Sequence, residues 1–198
     1  MYLCLDLSLK CSGFAKFNKN GRLMKKGRII PSKDLSNCMK IHFITTKIKE
    51  LFPNVEALII EDLYYGKNFA SIKWLARLSG AVLSEWVDYS YKAPKFYMAS
   101  TARKLAGINA RSQKAEIQLF ILDKYKFASK TKIKNYHTEI IKLKIMLENE
   151  EIKRSTYKSR MNKLSNVIDK ETNLGNDLAD AILLGLAYQE DKNKCRNY

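Results

Sequence analysis

Hydrophobic and polar residues alternate strictly at the start of the chain. The leucines at positions 3, 5, 7 and 9 fall on one face of an extended segment, and Asp6 falls on the other face with Tyr2, Cys4 and Ser8. This period of two predicts a first β-strand. A turn at 11–13 leads to a second strand at 14–17, and the Asn- and Gly-containing segment 18–21 predicts a hairpin before a third strand at 22–30. The chain is therefore expected to open with a three-stranded meander.

Helical patterns and strand patterns alternate in the following residues. Apolar residues at helical spacing predict helices at 34–51, 70–87, 101–106, 112–125 and 177–188. A nearly continuous apolar run at 55–60, closing on Glu61, predicts a strand buried on both faces, and a further strand is expected near 95–98. The order β-β-β-α-β-α-β-α-α is typical of an α/β fold, and we expect a single domain over residues 1–198.

Residues 130–172 differ in composition from the rest of the chain. They contain eleven Lys or Arg and six Asp or Glu, a net charge of +5, and neither Gly nor Pro. Two helical patterns predict a basic helical insertion, a composition that is not that of a core. Its apolar stripe indicates that it docks on another surface (Ile133, Tyr136, Ile140, Leu143 and Met146 or Leu147). The pattern leaves open whether the segment extends a DNA-binding surface, forms a dimer, or does both.

The overall charge narrows the class of partner. The 198 residues include 36 Lys or Arg and 20 Asp or Glu, which gives a net charge of +16 at pH 7. With 46% hydrophobic residues, such an excess indicates a folded protein that binds a polyanion, and nucleic acid is favoured over a membrane surface. Four scattered cysteines without a CxxC pair argue against a zinc site and a disulfide framework, and they predict free thiols in the cytoplasm.

Four carboxylates lie in apolar stretches of sequence. Asp6 interrupts the leucine-rich first strand, Glu61 ends a buried run, and Asp177 and Asp180 share one face at the start of an apolar helix. Solvation at a strand end, or capping of a helix, would explain each acid taken singly. An unpaired carboxylate at Asp180 would be costly to bury, and a shared divalent cation would remove that cost. Because paired metal ions promote phosphodiester hydrolysis, the pattern favours a metal-dependent nuclease.

The same acids carry a resemblance to a known family. Asp6 followed by Ser12-Gly13, Glu61 at the end of a core strand, Gly107-Ile108 before Lys114, and the segment from Asp177 to Ala181 resemble the RuvC family of Holliday-junction resolvases, most closely its small phage-encoded members. The resemblance spans nearly the whole chain except 130–172. It implies an RNase H-like fold with a mixed central sheet and flanking helices. It also implies a homodimer that nicks two opposing strands of a four-way junction, with two Mg²⁺ or Mn²⁺ ions per active site. A phage-encoded member would act in the host cytoplasm.

The resemblance further implies roles for individual residues. Asp6, Glu61, Asp177 and Asp180 match the catalytic and metal-binding carboxylates. Tyr64 matches an aromatic residue that stacks on unpaired bases. Basic positions near the scissile phosphate are matched as well, so that the expected DNA contacts are Tyr64, Tyr65, Lys67, Arg103, Lys104, Arg111 and Lys114. Cellular members carry Pro-Gly-Ser where this chain has Leu-Ser-Leu at 7–9, so the cut-site preference is not transferred.

Other functions share parts of this pattern. A different RNase H-like nuclease, acting on RNA–DNA hybrids or flaps, would use the same acids, and a non-catalytic nucleic-acid-binding module would keep the fold alone. An actin-like or sugar-kinase fold also places an Asp on its first strand, but eight glycines do not supply its second, glycine-rich half. A stripe at i, i+4 spacing in helix 70–87 predicts a dimer interface, with packing on the sheet as the alternative (Trp74, Leu78, Val82 and Trp86).

Overall fold

One mixed β-sheet forms the centre of the protein in a computed structural model that describes residues 1–63 and 69–196. Its strands are β1 (Tyr2–Asp6), β2 (Ser12–Phe17), β3 (Leu23–Ile29), β4 (Ala57–Glu61) and β5 (Lys95–Tyr97). They lie in the order β3-β2-β1-β4-β5. The β1–β2 and β2–β3 pairs are antiparallel, whereas the β1–β4 and β4–β5 pairs are parallel. The predicted meander and the later crossovers are both present.

Seven helices occur in the described residues: α1 (Asn37–Lys49), α2 (Phe69–Ser90), α3 (Ala99–Leu105), α4 (Lys114–Tyr125), α5 (Lys130–Glu148), α6 (Arg154–Thr172) and α7 (Asn176–Arg196). The first begins three residues later than predicted because the Ser36 hydroxyl accepts a hydrogen bond from the Met39 N–H and caps the helix there. The last runs beyond its predicted end at 188, since Asp191 accepts a hydrogen bond from the Tyr97 hydroxyl (2.6 Å) and pairs with Lys95. None of the helices in these ranges is long and apolar enough to cross a membrane.

Both faces of the sheet carry a hydrophobic core. Leu3 and Leu5 of β1 pack on one face with residues of α1 and α2. Tyr2 and Cys4 pack on the other face with residues of α4 and α7. Asp6 follows Cys4 on this second face and is the position at which the strand changes from apolar to charged. The alternation of β1 therefore separates two cores and brings its one acid to the α7 side.

The apolar stripe of α2 belongs to the core for three of its four residues. Leu78, Val82 and Trp86 are completely buried and pack against the β1 and β4 leucines and isoleucines. The ring of Trp86 meets that of Phe52 edge-on, with 5.3 Å between centroids. Trp74 alone keeps part of its surface exposed. The prediction that this stripe meets a partner subunit is wrong for the three buried residues, because the sheet already covers them.

Residues 130–172 form the predicted pair of helices, α5 and α6, and they contribute to the core. Ile140 and Leu143 of α5 and Met161 of α6 are buried in the same cluster as residues of α4 and α7. The buried amide of Gln118 on α4 donates hydrogen bonds to the backbone carbonyls of Ser165 (3.3 Å) and Leu174 (2.7 Å). The predicted docking of the apolar stripe is confirmed, because Ile133, Tyr136, Ile140 and Leu143 are buried against the rest of the protein. The interpretation that the composition of this segment is not that of a core is wrong, since its lysines lie on the exposed side of this buried stripe.

Candidate active site

Asp6 and Glu61 come together because β1 and β4 are parallel neighbours. The register pairs Leu5 with Ile60, so that Asp6 and Glu61 are the next residue on each strand. Both acids stand at the carboxyl ends of their strands. Glu61 shares its face with Ile59, which belongs to the core beneath α7, and so it lies on the same side of the sheet as Asp6.

The first turn of α7 passes directly over β2 at Gly13. This glycine pairs with Asp6 in the antiparallel β1–β2 ladder. A Cβ atom at Gly13 would lie 1.9 Å from the backbone oxygen of Asp177, so only a residue without a side chain permits this approach. Farther along α7, Gly185 leaves room for the ring of Phe17, which would lie 2.1 Å from a Cβ there. The two glycines allow α7 to place its acids above the strand ends.

Three of the four predicted acids form a tight cluster. Asp6, Glu61 and Asp180 each contribute one carboxylate oxygen, and these three atoms all lie within 4.8 Å of one another. Asp177 lies beside the cluster, where its charge acts on the other three acids and its carboxylate accepts a hydrogen bond from the Cys11 thiol. The cluster therefore unites two strand ends with the start of a helix that lies more than a hundred residues farther along the chain.

Burial raises the pKa of all four acids, and repulsion from neighbouring acids adds to this for Asp6, Glu61 and Asp180. For Asp6, burial followed by the charges of Glu61, Asp180 and Asp177 holds the pKa well above its ordinary value. Burial is also the largest cause that raises the pKa of Glu61 to about 7 and that of Asp180 to about 6. Burial raises the pKa of Asp177 too, while the hydrogen bond from Cys11 opposes this. Clustered carboxylate oxygens with this electrostatic cost fit a divalent cation that prefers hard oxygen ligands.

Two of the predicted basic residues face the acids. Arg103 on α3 lowers the pKa of Glu61 and Asp180, and Lys114, the first residue of α4, lowers the pKa of all four acids. The Nη1 of Arg103 donates a hydrogen bond to the backbone oxygen of Ala110 at 3.2 Å. Its Nε is buried without a hydrogen-bond partner among the described residues. Arg103 and Glu61 also border a small cavity of about 210 Å³.

The remaining predicted DNA contacts are placed differently. Lys104 is exposed on α3 next to Arg103, and Arg111 is exposed at the rim of a separate basic cavity. The predictions for Tyr64, Tyr65 and Lys67 fall outside the described residues. Sequence reasoning assigned no role to Cys11, whose thiol donates a hydrogen bond to the Asp177 carboxylate. Its place two residues before the glycine that pairs with Asp6 is the signal that could have identified it.

Similarity to known proteins is found at the level of structure. No protein-family model and no curated protein matches the sequence. Thermus thermophilus RuvC in complex with Holliday junction substrate matches with a TM-score of 0.60 and 12% identity, over 98% of this chain and 94% of that chain. Another Thermus thermophilus RuvC structure matches with a TM-score of 0.58 and 14% identity, over 98% of this chain and 96% of that chain. A Fowlpox virus resolvase in complex with substrate Holliday junction DNA matches with a TM-score of 0.40 and 14% identity, over 96% of this chain and 97% of that chain. The similarity to the two RuvC structures shows that this chain has the RNase H-like fold that its sequence predicted.

Proposed function

We propose that this protein is a divalent-metal-dependent endonuclease that resolves Holliday junctions, and other branched DNA, by phosphodiester hydrolysis. The observation that carries the proposal is the cluster of Asp6, Glu61 and Asp180 oxygens within 4.8 Å in a protein with a net charge of +16. A basic protein that binds a polyanion gains nothing from concentrating partly buried acids at one point, unless metal ions are held there. The RNase H-like fold, shared with a RuvC bound to Holliday junction substrate, supports branched DNA as the substrate.

The carboxylates of Asp6, Glu61 and Asp180 would hold the metal, and Asp177, which lies outside this group of three, would contribute to a second ion. Mg²⁺ is the expected ion, and Mn²⁺ is expected to substitute for it. When bound, the divalent cations would stabilise the charge that develops on the phosphate and lower the pKa of the attacking water. The acids must first lose their protons, which Arg103 and Lys114 favour by lowering their pKa.

The chain's own cations would position the substrate. Lys114 is exposed at the start of α4 and next to all four acids, where its ammonium group can bind the phosphate that enters the cluster. Arg103 is only partly exposed and is fixed by its bond to Ala110, so it would neutralise Glu61 and Asp180 from the protein side. Cys11 would orient Asp177 through the hydrogen bond that its thiol donates.

Two symmetric nicks require two active sites at a fixed separation, which a two-fold symmetric homodimer supplies. Because Leu78, Val82 and Trp86 are committed to the core, the subunit interface would have to use exposed residues instead. Trp74, which is only partly buried, is the one member of the original stripe that could take part.

A cleavage assay on four substrates tests the proposal: a four-way junction, a flap, an RNA–DNA hybrid and a linear duplex, each with Mg²⁺, Mn²⁺ or EDTA. We expect cleavage of the junction with either metal and no cleavage in EDTA. Asp6→Asn should abolish cleavage but bind the junction at least as tightly, since the loss of a negative charge relieves repulsion of the phosphate. Asp88→Asn, on the exposed surface of α2, makes the same charge change and should cleave normally.

Each alternative outcome identifies a different function. Preferential cleavage of the hybrid or the flap would assign the protein to another class of RNase H-like nuclease. Binding of the junction without cleavage in either metal would indicate a non-catalytic binding module. Undiminished cleavage in excess EDTA would contradict the role given to the acid cluster.

A further inference from the structure

A basic cavity of about 500 Å³ lies between the residues that precede α4 and the helices α5 and α6. Four cationic side chains line it, namely Arg111, Lys144, Arg154 and Lys158, together with a single acid, Glu116. Like charges gathered around one cavity repel one another, and the repulsion is relieved when an anion enters. The composition of the lining therefore points to an anionic ligand.

The single acid of the cavity is already engaged. One carboxylate oxygen of Glu116 pairs with the Lys144 ammonium at 2.6 Å, and the other accepts a hydrogen bond from the backbone N–H of Gln113 at 2.6 Å. Arg111, Arg154 and Lys158 have no carboxylate within ion-pair distance in residues 1–63 and 69–196. Three cations around the cavity are thus available to an external anion.

The backbone of α6 adds to the positive potential of the cavity. The helix begins at Arg154, the side chain of its N-cap Lys153 makes no capping hydrogen bond, and its first turn contains no acid. The N–H groups of a first turn have no acceptor within the helix, and they carry the positive end of the helix dipole. Arg154 and Lys158 increase this potential instead of neutralising it.

The cavity is next to the acid cluster. Arg111 and Gln113 line the cavity, and Lys114, the following residue, lowers the pKa of the four clustered acids. Consecutive residues at the start of α4 therefore serve the two sites, since Gln113 lines the cavity and Lys114 acts on the acids. A nucleic-acid strand whose phosphate reaches Lys114 would present neighbouring phosphates to the cavity.

We propose that this cavity binds backbone phosphates of the branched DNA, outside the scissile bond, through Arg111, Arg154 and Lys158. Guanidinium groups suit this task because they pair with two phosphate oxygens at once, while the lysine contributes a point charge. The inference rests on the proposed function, because its ligand is the DNA that the acid cluster would cleave. Contacts to phosphate position DNA without reading its sequence, so the cavity would fix a DNA arm and leave the cut site unchanged.

Two matched double variants test the site. Arg154→Gln/Lys158→Gln removes two charges at the cavity, whereas Lys163→Gln/Lys170→Gln removes two exposed charges elsewhere on α6. Binding of a fluorescent four-way junction is measured by anisotropy in EDTA, from 50 to 200 mM NaCl. The salt slope is the steepness with which the logarithm of the affinity falls as the logarithm of the salt concentration rises. Each lost phosphate contact should reduce this slope by about 1, so the slope of the cavity variant should be about 2 smaller than that of the wild type, and the slope of the control variant should be unchanged. Over this range the wild type should then lose about 16-fold more affinity than the cavity variant.

The outcomes separate the cavity from net charge and from the proposed function. An equal change of slope in both double variants would overturn the inference, and so would an unchanged slope in a cavity variant whose circular dichroism is that of the wild type. If the double variant fails to fold, Arg111→Gln, outside α6, should still reduce the slope by about 1. If the wild type binds linear duplex as tightly as the junction, the proposed function fails, and the slopes measured on the duplex still decide the cavity. Saturation of the cavity by inorganic phosphate, with no difference in slope between the variants on DNA, would make it a site for free phosphate and overturn its assignment to DNA.

Discussion

Replacing Asp180 by Asn should stabilise the metal-free protein and remove its response to Mg²⁺. Burial raises the pKa of Asp180 to about 6 from an ordinary 3.8. At about 1.4 kcal/mol per pKa unit, the ionised side chain costs the folded state about 3 kcal/mol. Asparagine has nearly the same shape and no charge, and so it should recover up to this amount. It also lacks the carboxylate that would bind the metal.

The size of the effect should depend on pH in a definite direction. Below pH 3.8 the carboxyl is protonated in the folded and the unfolded state, and it costs nothing. The cost appears as the pH rises from 3.8 and is complete above about 6, because only the folded state resists ionisation in this window. For a domain of this size, about 1 kcal/mol shifts the Tm by about 2–4 °C. We therefore expect Asp180→Asn to raise the Tm by up to about 6–12 °C at pH 8 in EDTA, and to have little effect at pH 4.

Thermal unfolding followed by circular dichroism, in EDTA and in Mg²⁺, measures both effects. Wild-type protein should gain stability from Mg²⁺ at pH 8, because the ion binds the folded state alone. Asp180→Asn should gain little, while Asp88→Asn on the exposed side of α2 should behave like the wild type in both buffers. A Tm of Asp180→Asn at or below that of the wild type at pH 8 in EDTA would refute the burial argument. An undiminished response of this variant to Mg²⁺ would refute its role as a ligand.

Three further predictions concern the approach of α7, the pH profile and the assembly. Gly13→Ala should lower stability and abolish cleavage, because the added Cβ would lie 1.9 Å from the Asp177 backbone oxygen. Gly80→Ala, where a Cβ would have no atom within 4 Å, should instead increase the free energy of unfolding by about 0.5–1 kcal/mol. Urea unfolding compares the two variants, and a fully active Gly13→Ala would contradict the close approach. Mg²⁺ affinity, measured by calorimetry, should increase from pH 6 to 8, because Glu61, with a pKa of about 7, must lose its proton before it binds the ion. A Mg²⁺ affinity that does not change over this pH range would contradict the role of Glu61 as a ligand. Sedimentation at micromolar concentration should show a dimer, and a monomer alone on the junction would count against paired nicking.

The sequence by itself determined most of the elements of this protein. The period of two in β1, the apolar run of β4 and the helical spacing of α2, α4 and α6 arise from local backbone geometry combined with one buried side. The awkward positions of Asp6, Glu61 and Asp180 were also evident, because a charge within an apolar stretch is costly wherever the chain folds. These features can be recognised within windows of about twenty residues, and no knowledge of neighbouring elements is needed.

Tertiary structure alone decided which surface covers each apolar stripe. The stripe of α2 that includes Val82 was predicted to meet a partner subunit, but in the folded chain it packs in the core against the sheet. The stripe of α5 that includes Ile140 lies against the core around α4, in a segment whose composition suggested no core. Hydrophobic burial is non-directional and proportional to area, so a pattern that favours burial does not specify what the buried side will contact.

The geometry of the acid cluster was likewise decided only by the folded chain. Asp6 and Glu61 are adjacent because β1 pairs in parallel with β4, and Asp180 joins them because Gly13 admits the first turn of α7. The raised pKa of each acid follows from this convergence and from the burial that accompanies it. Distances between residues far apart in the chain depend on how whole elements pack, and local sequence preferences act over too short a range to set them.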